Sequence, residues 1–286
     1  LANKTVDGVI VSTPTAHHCQ PVLAALDAGV PVLVEKPITA TVADAERICA
    51  ASARTGVPVL VGHQRRYYGF VAKAREIVRS GRIGRLVAVT GQWTSRKDEV
   101  YYEPDWRKQW EAGPILTNLI HEMDLLRFIC GEVASLSADV SHAVRGWDKE
   151  DTAAMTLAFK DGALGTFVLS DQTASPWTFE FGTGESVLFP KSGQNSMRFM
   201  GTTGALEFPN LVLWHHGDET ADWNHLIGPE PMPMALDDAY VLQIAHFAAV
   251  IAGEAAALID AADATQTLLA TLAVFEAAKT GRRVSL

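Results

Sequence analysis

The sequence predicts an α/β fold in which a parallel sheet with crossover helices precedes an α+β domain with a large, mostly antiparallel open sheet. Up to about residue 80, short apolar runs alternate with helical patterns, as in strand–helix units joined by right-handed crossovers. Beyond Leu86, longer alternating strands and glycine-containing turns replace them. We expect domains at residues 1–66 and 67–286, with the terminal helices packing back on the first domain.

Three parallel strands are predicted at residues 6–11, 32–34 and 57–61, each short, apolar and followed by polar residues. The helices between them cover residues 16–28 and a segment that Thr41 caps and Gly56 ends. Because the carboxyl ends of parallel strands share one edge of a sheet, the polar residues after these strands should lie along the same edge.

The second domain is predicted from longer strands and amphipathic or buried helices. A hairpin of residues 152–159 and 163–169, turning at Asp161-Gly162, is its clearest feature. Further strands are predicted at residues 86–93, 177–181, 196–200 and 206–214, with a short strand near Val284. Helices are predicted at residues 70–80, 115–129, 240–251 and 262–278.

The composition is that of an ordinary globular protein: 286 residues, 48% hydrophobic and 20% charged, with a formal net charge of −9. The acidic balance argues against a general nucleic-acid or anionic-membrane binder. Without a membrane-length apolar run or a signal-peptide pattern, we expect a cytoplasmic enzyme. We expect no metal site, because the three cysteines lie far apart and His17-His18 lacks further ligands at suitable spacing.

Lys36 follows the second predicted strand directly, after Val34 and Glu35 and before Pro37. Its ammonium group should therefore emerge at the edge where open α/β sheets bind ligands. A solvated loop lysine is the alternative, and it is the commoner state of a single Lys-Pro pair. The neighbouring strand ends, with their own polar residues, favour ligand contact.

A polar stripe interrupts the otherwise apolar helix at residues 115–129, and it consists of Thr117, Asn118, His121 and Asp124. Buried polar groups need partners, so the stripe should face a wet cleft or a ligand. His121 is either a core histidine bonded to Asp124 or a general base, since imidazole titrates near neutrality. Asn118 cannot take up a proton at neutral pH, so we expect it to orient a hydroxyl group or the His121 ring.

Five segments carry a resemblance to a known family: Asp7-Gly8-Val9-Ile10-Val11-Ser12-Thr13-Pro14 with His17, Val34-Glu35-Lys36-Pro37, Val61-Gly62-His63-Gln64-Arg65-Arg66-Tyr67, Trp106-Arg107, and Gly113-Pro114-Ile115-Leu116-Thr117-Asn118-Leu119-Ile120-His121-Glu122-Met123-Asp124. In them the sequence resembles the glucose-fructose oxidoreductase / inositol dehydrogenase (Gfo/Idh/MocA) family of NAD(P)-dependent sugar dehydrogenases. The Glu-Lys-Pro and His-x-x-Asp segments are specific together, although each is weak alone.

The resemblance implies a Rossmann-like N-terminal domain, NAD or NADP as cofactor, and a C-terminal open sheet that joins subunits of a homodimer or homotetramer. It implies that Lys36 contacts nicotinamide and substrate and that His121 is the catalytic acid/base, with Asn118 and Asp124 as positioning groups. The residues expected at the cofactor are Ser12, Thr13, Pro14, His17, Glu35, Lys36, Gln64, Trp106 and Arg107. Those expected at the substrate are Lys36, Arg66, Tyr67, Asn118 and His121. For Arg65-Arg66 a solvated pair is an equal alternative, and for Tyr67 a core position.

The glycine-rich G-x-G-x-x-G turn of dinucleotide-binding domains does not occur in these 286 residues. Residues 6–11 match the family's fourth strand, so the first strand–helix–strand half is missing from the sequence. We expect an N-terminally shortened chain. A protein without this pyrophosphate site is the alternative.

The leading hypothesis is a dehydrogenase that moves hydride between nicotinamide and a hydroxyl-bearing carbon of a sugar, cyclitol or related polyol. Two alternatives stay open. One is a non-catalytic sugar- or dinucleotide-binding regulatory protein of the same fold, which Asn118 and the missing turn motivate. The other is an NAD-assisted glycosidase or lyase.

Overall fold

The computed structural model describes residues 6–286. The chain forms two compact units, and each consists of two separate segments of the sequence. The first unit comprises the described residues up to Tyr67 together with Asp237–Ala270, and the second comprises Tyr68–Leu236 and Thr271–Leu286. Helix α6 (Ala239–Ile251) and the first half of helix α7 (Ala261–Thr280) thus belong to the first unit.

The first unit contains a three-stranded parallel sheet, as the sequence predicts. Its strands are β1 (Val9–Val11), β2 (Val32–Glu35) and β3 (Val59–Gly62), in the spatial order β1-β2-β3. Helices α1 (Cys19–Asp27) and α2 (Val42–Thr55) follow the first two strands. The predicted helix at residues 16–28 is interrupted, because a 3₁₀ turn at Thr15–His17 precedes α1.

Local chemistry fixes the ends of α2. Thr41 Oγ1 accepts a hydrogen bond from the Asp44 backbone N–H at 3.2 Å, which satisfies one orphan donor of the first turn. At the other end Gly56 adopts the left-handed conformation with φ of 70°, which glycine reaches without a steric penalty. The Thr41 cap and the Gly56 stop are both confirmed.

The second unit is built on a nine-stranded sheet with the order β11-β10-β9-β8-β4-β7-β6-β5-β12. Only the β4–β7 pair is parallel among its described neighbours. The strands are β4 (Leu86–Thr94), β5 (Val133–Ser141), β6 (Thr152–Phe159), β7 (Leu164–Ser170), β8 (Met197–Gly201), β9 (Gly204–Phe208), β10 (Val212–His215), β11 (Gly228–Pro231) and β12 (Val284–Ser285). The mostly antiparallel open sheet is confirmed.

Two predicted strands of this unit are wrong. Residues 177–181 contain the start of a short helix, α5 (Phe179–Thr183), because Thr178 Oγ1 caps the Phe181 N–H and Gly184 ends the helix in the left-handed conformation. Residues 206–214 are two strands and not one, since the chain turns between Phe208 and Val212. Strands β5 and β11 were not predicted.

Helices α3 (Gly69–Arg79) and α4 (Ile120–Cys130) complete the second unit. Part of its core is a group of aromatic rings from α3, α5, β8 and β9, with neighbouring centroids 5.8 to 6.1 Å apart: Phe70, Phe179, Phe199 and Phe208. In the first unit Leu33 and Leu60 pack with Phe247 of α6. Among residues 6–286, no helix combines the length and the apolar character needed to cross a membrane.

Candidate functional site

The segment that follows β1 is held by His18, and not by its neighbour His17, which the sequence predicts at the cofactor. Ser12, Thr13 and Pro14 are exposed, and so is His17. His18 is 1% exposed, and its Nε2 and Nδ1 lie 2.7 Å from the Thr13 carbonyl oxygen and 2.9 Å from the Pro37 carbonyl oxygen. The His18 ring therefore joins the ends of β1 and β2. In a His-His pair the sequence does not show which ring is buried.

Lys36 follows β2 and is half-buried. Its backbone N–H donates to Glu35 Oε2 at 3.3 Å, so Glu35 holds the loop that carries the lysine. On the neighbouring strand Gly62 is paired with Glu35, and a Cβ on Gly62 would lie 3.2 Å from Glu35 Oε2. The absence of a side chain at Gly62 therefore leaves room for the Glu35 carboxylate.

The segment after β3, Gln64–Tyr67, forms a 3₁₀ turn in which Gln64 and both arginines are buried. Arg65 and Arg66 are 3% and 6% exposed, so the solvated interpretation of this pair is wrong. Arg66 Nη1 forms an ion pair with Asp263 Oδ2 of α7, which gives the guanidinium a structural partner. Its predicted substrate contact stays a prediction.

Tyr67 ends this turn with its ring 5.6 Å from that of His246. Its buried hydroxyl has no hydrogen-bond partner among the residues that the structure describes. Burial also raises the pKa of the Tyr67 phenol, so this hydroxyl stays protonated and can donate. The unpaired Tyr67 hydroxyl can therefore donate a hydrogen bond to the ligand predicted to bind here.

In the second unit, the predicted helix at residues 115–129 is not α-helical throughout. Ile115–Leu119 forms one turn of π-helix, which leads directly into α4. Such turns are rare and frequently mark functional sites. The π turn carries Thr117 and Asn118, which are half-buried, as is His121 at the start of α4. Asp124 is only 1% exposed, so of the four stripe residues it is the one buried completely.

Glu150 fixes the start of the π turn. Its Oε1 accepts a hydrogen bond from the Ile115 backbone N–H at 2.8 Å. Burial raises the pKa of the Glu150 carboxyl, and the hydrogen bond from Ile115 opposes that rise. Gly113 leaves room for this contact, because a Cβ there would lie 2.3 Å from both carboxylate oxygens.

We expect Gly113→Ala to lower the free energy of unfolding by about 1–3 kcal/mol, the cost of a lost buried hydrogen bond. The added methyl group would push Glu150 away from the Ile115 N–H and so loosen the π turn. Urea denaturation of the variant measures this change. Gly228→Ala is the control, since nothing lies within 4 Å of a Cβ there. Equal stability of the two variants would contradict the role given to Gly113.

Lys97 is a candidate residue that the sequence does not reveal. Its Nζ donates to Asn118 Oδ1 at 2.8 Å, and its side chain is only 14% exposed. Burial lowers the Lys97 pKa to about 8, Asp171 opposes this, and the positive charge of Lys149 adds to it. A buried lysine with a lowered pKa beside a predicted site residue is a functional candidate.

Asp171 connects Lys97 to a buried network. Its Oδ2 accepts hydrogen bonds from Tyr102 Oη and Lys149 Nζ, each at 2.7 Å, and its Oδ1 accepts from Gln172 Nε2 at 2.8 Å. Lys97 Nζ lies farther away, 3.9 Å from Oδ2. The Asp171 and Lys149 side chains are 0% and 1% exposed, which makes theirs a fully buried ion pair. Lys97 therefore links this buried network to Asn118.

Trp106 and Arg107 lie on a 3₁₀ turn, Asp105–Lys108. Trp106 is 60% exposed, whereas Arg107 stacks 4.3 Å above the Tyr101 ring and donates to the Tyr101 carbonyl oxygen at 2.8 Å. Tyr101 in turn lies 4.8 Å below Lys97 Nζ. The structure therefore links Arg107 to the surroundings of Asn118, while Trp106 presents much of its ring to solvent.

The described residues contain no group of three or more His, Cys, Asp or Glu side chains arranged to hold a metal ion. The arrangement on the second unit offers an imidazole, a carboxamide and a threonine hydroxyl on successive turns of one helical segment. Proton transfer and hydrogen bonding to a polyhydroxylated ligand are chemistry that these groups can perform.

Two family models match the sequence. One, described as an oxidoreductase family with an NAD-binding Rossmann fold, matches residues 1–63. The other, described as the GFO/IDH/MocA C-terminal domain, matches residues 71–207. The two matches follow each other along the chain in the order that the fold requires.

Curated relatives carry names of sugar and cyclitol enzymes. A 1,5-anhydro-D-fructose reductase from Ensifer adhaerens is 27% identical over 100% of this chain and 81% of its own length. A myo-inositol 2-dehydrogenase from Thermotoga maritima is 31% identical over 58% of this chain and 50% of its own length. A 2,7-anhydro-N-acetylneuraminate hydratase from Escherichia coli is 30% identical over 58% of this chain and 46% of its own length. The chain spans about half the length of the last two.

Solved structures share the fold at low sequence identity. An oxidoreductase from Agrobacterium radiobacter, in complex with NAD+, L-tartaric acid and magnesium, has a TM-score of 0.80 at 22% identity over 99% of this chain and 81% of its own. The WlbA dehydrogenase from Bordetella pertussis, in complex with NADH and UDP-GlcNAcA, has a TM-score of 0.76 at 22% identity over 100% of this chain and 80% of its own. With both domain models matched in order, the chain belongs to the Gfo/Idh/MocA family of oxidoreductases, whose N-terminal domain is an NAD-binding Rossmann fold.

Proposed function

We propose that this protein transfers a hydride between the nicotinamide of NAD or NADP and a hydroxyl-bearing carbon of a sugar, cyclitol or related polyol. The observation that carries the proposal is the π turn and the start of α4, which present Thr117, Asn118 and His121 half-buried on one helical segment. The names of the reductase and dehydrogenase relatives support the substrate class.

We expect the described part of the first unit to hold the nicotinamide end of the cofactor. Ser12, Thr13 and Pro14 leave the sheet exposed, and Lys36 leaves it half-buried beside its Glu35 anchor. These are the residues that would border the nicotinamide and its ribose. Bound there, the cofactor would accept or supply the hydride. The glycine-rich pyrophosphate turn is not among the 286 residues of the sequence.

Each catalytic role falls to a residue whose chemistry suits it. His121 takes up the hydroxyl proton of the substrate, because imidazole titrates near neutrality. Lys36 holds and polarises the reacting oxygen with its ammonium group. Asp124, buried one turn after His121, acts as a positioning group, and Asn118 orients a substrate oxygen.

Cofactor titration of the complete gene product tests the proposal. We expect NADH or NADPH to bind, and reduced cofactor to form when NAD or NADP is supplied with a panel of sugars, cyclitols and polyols. Absorbance at the nicotinamide wavelength measures turnover. Binding of neither cofactor would contradict the dehydrogenase and favour a regulatory protein of the same fold.

A second candidate function is a hydration or elimination in which NAD is oxidised and reduced within one turnover. The name of the Escherichia coli relative, a hydratase, favours it. In that case product forms without net change in the redox state of the cofactor. Chromatography of the sugar products, together with the absorbance measurement, separates the two candidates.

Exposed side chains on one face of the nine-stranded sheet support the proposal that the protein is a homodimer or homotetramer. Exposed small, β-branched and apolar side chains lie side by side on β6 and β7, with Ala154 opposite Val168 and Thr156 opposite Thr166. Leu164 and Val168 are 61% and 42% exposed there. An exposed sheet face with apolar and β-branched side chains of this kind is a common oligomer interface.

We expect Val168→Asp to convert the oligomer to a smaller species, because it buries an unpaired charge if the subunits meet on this face. Light scattering coupled to size-exclusion chromatography measures the mass. Val144→Asp is the control, since Val144 is 65% exposed in the turn after β5. An unchanged mass for Val168→Asp would exclude this face as the interface.

A further inference from the structure

We infer that Lys97 positions the Asn118 carboxamide so that its Nδ2 group, and not its oxygen, meets the ligand. The substrate group held by Asn118 is then a hydrogen-bond acceptor, such as a hydroxyl or carbonyl oxygen. The identity of the ligand rests on the proposed function. The orientation of the carboxamide rests on the contact between the Lys97 ammonium group and Asn118.

The first step is the chemistry of the contact between Lys97 and Asn118. The orientation of an asparagine amide is normally ambiguous, because its oxygen and nitrogen look alike. Here an ammonium group, which has three donors and no acceptor, lies 2.8 Å from one terminal atom of the carboxamide. That atom must therefore be oxygen. Thr117 Oγ1 lies 2.9 Å from the same oxygen, but its single proton is shared with the Gly113 carbonyl oxygen at 3.0 Å, so Lys97 is the main donor.

The second step concerns the other end of the carboxamide. Lys97 donates to Asn118 Oδ1, and among residues 6–286 no group accepts a hydrogen bond from Asn118 Nδ2. The side chain is half-buried, so this NH₂ group reaches solvent or a ligand. A substrate oxygen can accept from it, whereas a protonated amino group at that position could not.

The third step is the protonation state of Lys97. The aromatic rings of Tyr101 and Trp93 lie 4.8 and 5.6 Å from Nζ and favour the charged form, as cation–π contacts do. Burial nevertheless lowers the Lys97 pKa to about 8.

The charged groups that act on Lys97 come from three parts of the second unit. Asp171, after β7, favours the cation most strongly, and Glu180 of α5 and Glu150 favour it less. Lys149 opposes it. Above a pH of about 8 Lys97 becomes a neutral amine with a lone pair, which accepts as well as donates. The contact with Lys97 then no longer requires the oxygen, and not the nitrogen, of the Asn118 carboxamide to face it.

The test is the carbon NMR signal of the Asn118 side-chain carbonyl in protein labelled with ¹³Cγ-asparagine, assigned with Asn118→Ser. We expect this signal to titrate with a midpoint near pH 8 in the wild type. In Lys97→Arg the Asn118 signal should keep its low-pH chemical shift up to about pH 10, because a guanidinium stays protonated over that range. In Lys97→Met the signal should have a different chemical shift that does not change with pH. The signal of Asn195, which donates to Glu207, is the internal control. An Asn118 chemical shift that changes neither with pH nor in Lys97→Met would overturn the inference.

Kinetics provide a second readout that separates this inference from the proposed function. With a polyol that the complete gene product oxidises, Lys97→Met should lower kcat/KM roughly 3- to 10-fold, the effect of one neutral hydrogen bond. For the wild type we expect kcat/KM to fall above a pH of about 8 as Lys97 loses its proton. Lys97→Arg should keep the wild-type value at lower pH and should not show this fall. Absence of all turnover would reject the proposed function and leave the NMR result to decide on Lys97. Turnover with identical pH profiles in the three proteins would reject the role of Lys97.

Discussion

His121→Ala should lower kcat by roughly 10²- to 10⁴-fold, the range that a positioned general acid or base contributes. His121 lies at the start of α4 and is half-buried, next to the π turn that carries Asn118. It is the only histidine between Ile115 and Cys130. The measurement is steady-state turnover of the complete gene product with NAD or NADP and an accepted polyol, combined with circular dichroism to confirm that the fold is intact.

Two further variants make this result specific. His225→Ala is the matched control, because the His225 side chain is 37% exposed and bonds Asp222 in a surface turn. It should turn over like the wild type. If the Lys36 ammonium polarises the reacting oxygen, Lys36→Ala should lower kcat by about as much as His121→Ala does. Near-normal activity of both His121→Ala and Lys36→Ala would refute the catalytic assignment.

Strand and helix patterns predict the parallel sheet well because its determinants are local. The run Val32-Leu33-Val34 is apolar over its full length, and Thr41 and Gly56 provide the start and stop of α2 within one stretch of chain. Local patterns failed at residues 177–181, where the composition is typical of a strand but a helix N-cap decides the structure. Thr178, three residues before Phe181, turned an aromatic segment into helix α5.

The candidate site was predictable only where its residues share an element. Asn118 and His121 lie one turn apart, so a helical wheel brings them together. Lys97 contacts Asn118 across 21 residues of sequence, and it lies beside Asp171 because β4 pairs in parallel with β7. No spacing rule reveals such a contact. The π turn was equally hidden, since Glu150, which bonds the Ile115 N–H, lies 35 residues away.

Asp171→Asn should lower the free energy of unfolding by about 3–5 kcal/mol, the cost of breaking a buried ion pair by removing one partner. The Lys149 side chain is 1% exposed and its Nζ lies 2.7 Å from Asp171 Oδ2. Without the carboxylate, the ammonium keeps its hydrogen bond to the Glu150 carbonyl oxygen but loses its counter-charge. Urea denaturation followed by circular dichroism measures the change. Asp27→Asn is the matched control, because its ion pair with Arg54 is 63% and 65% exposed and should contribute less than about 1 kcal/mol.

The double variant Asp171→Asn with Lys149→Met distinguishes a buried charge from a general packing defect. Asparagine at 171 keeps an acceptor for Tyr102 Oη, and methionine at 149 fills most of the lysine volume without its charge. Because an apolar replacement of a buried ion pair is often neutral, the double variant should regain most of the stability that Asp171→Asn loses. If it were as unstable as the single variant, the loss would come from packing around Tyr102 and Gln172, and the unpaired Lys149 charge would not be its cause.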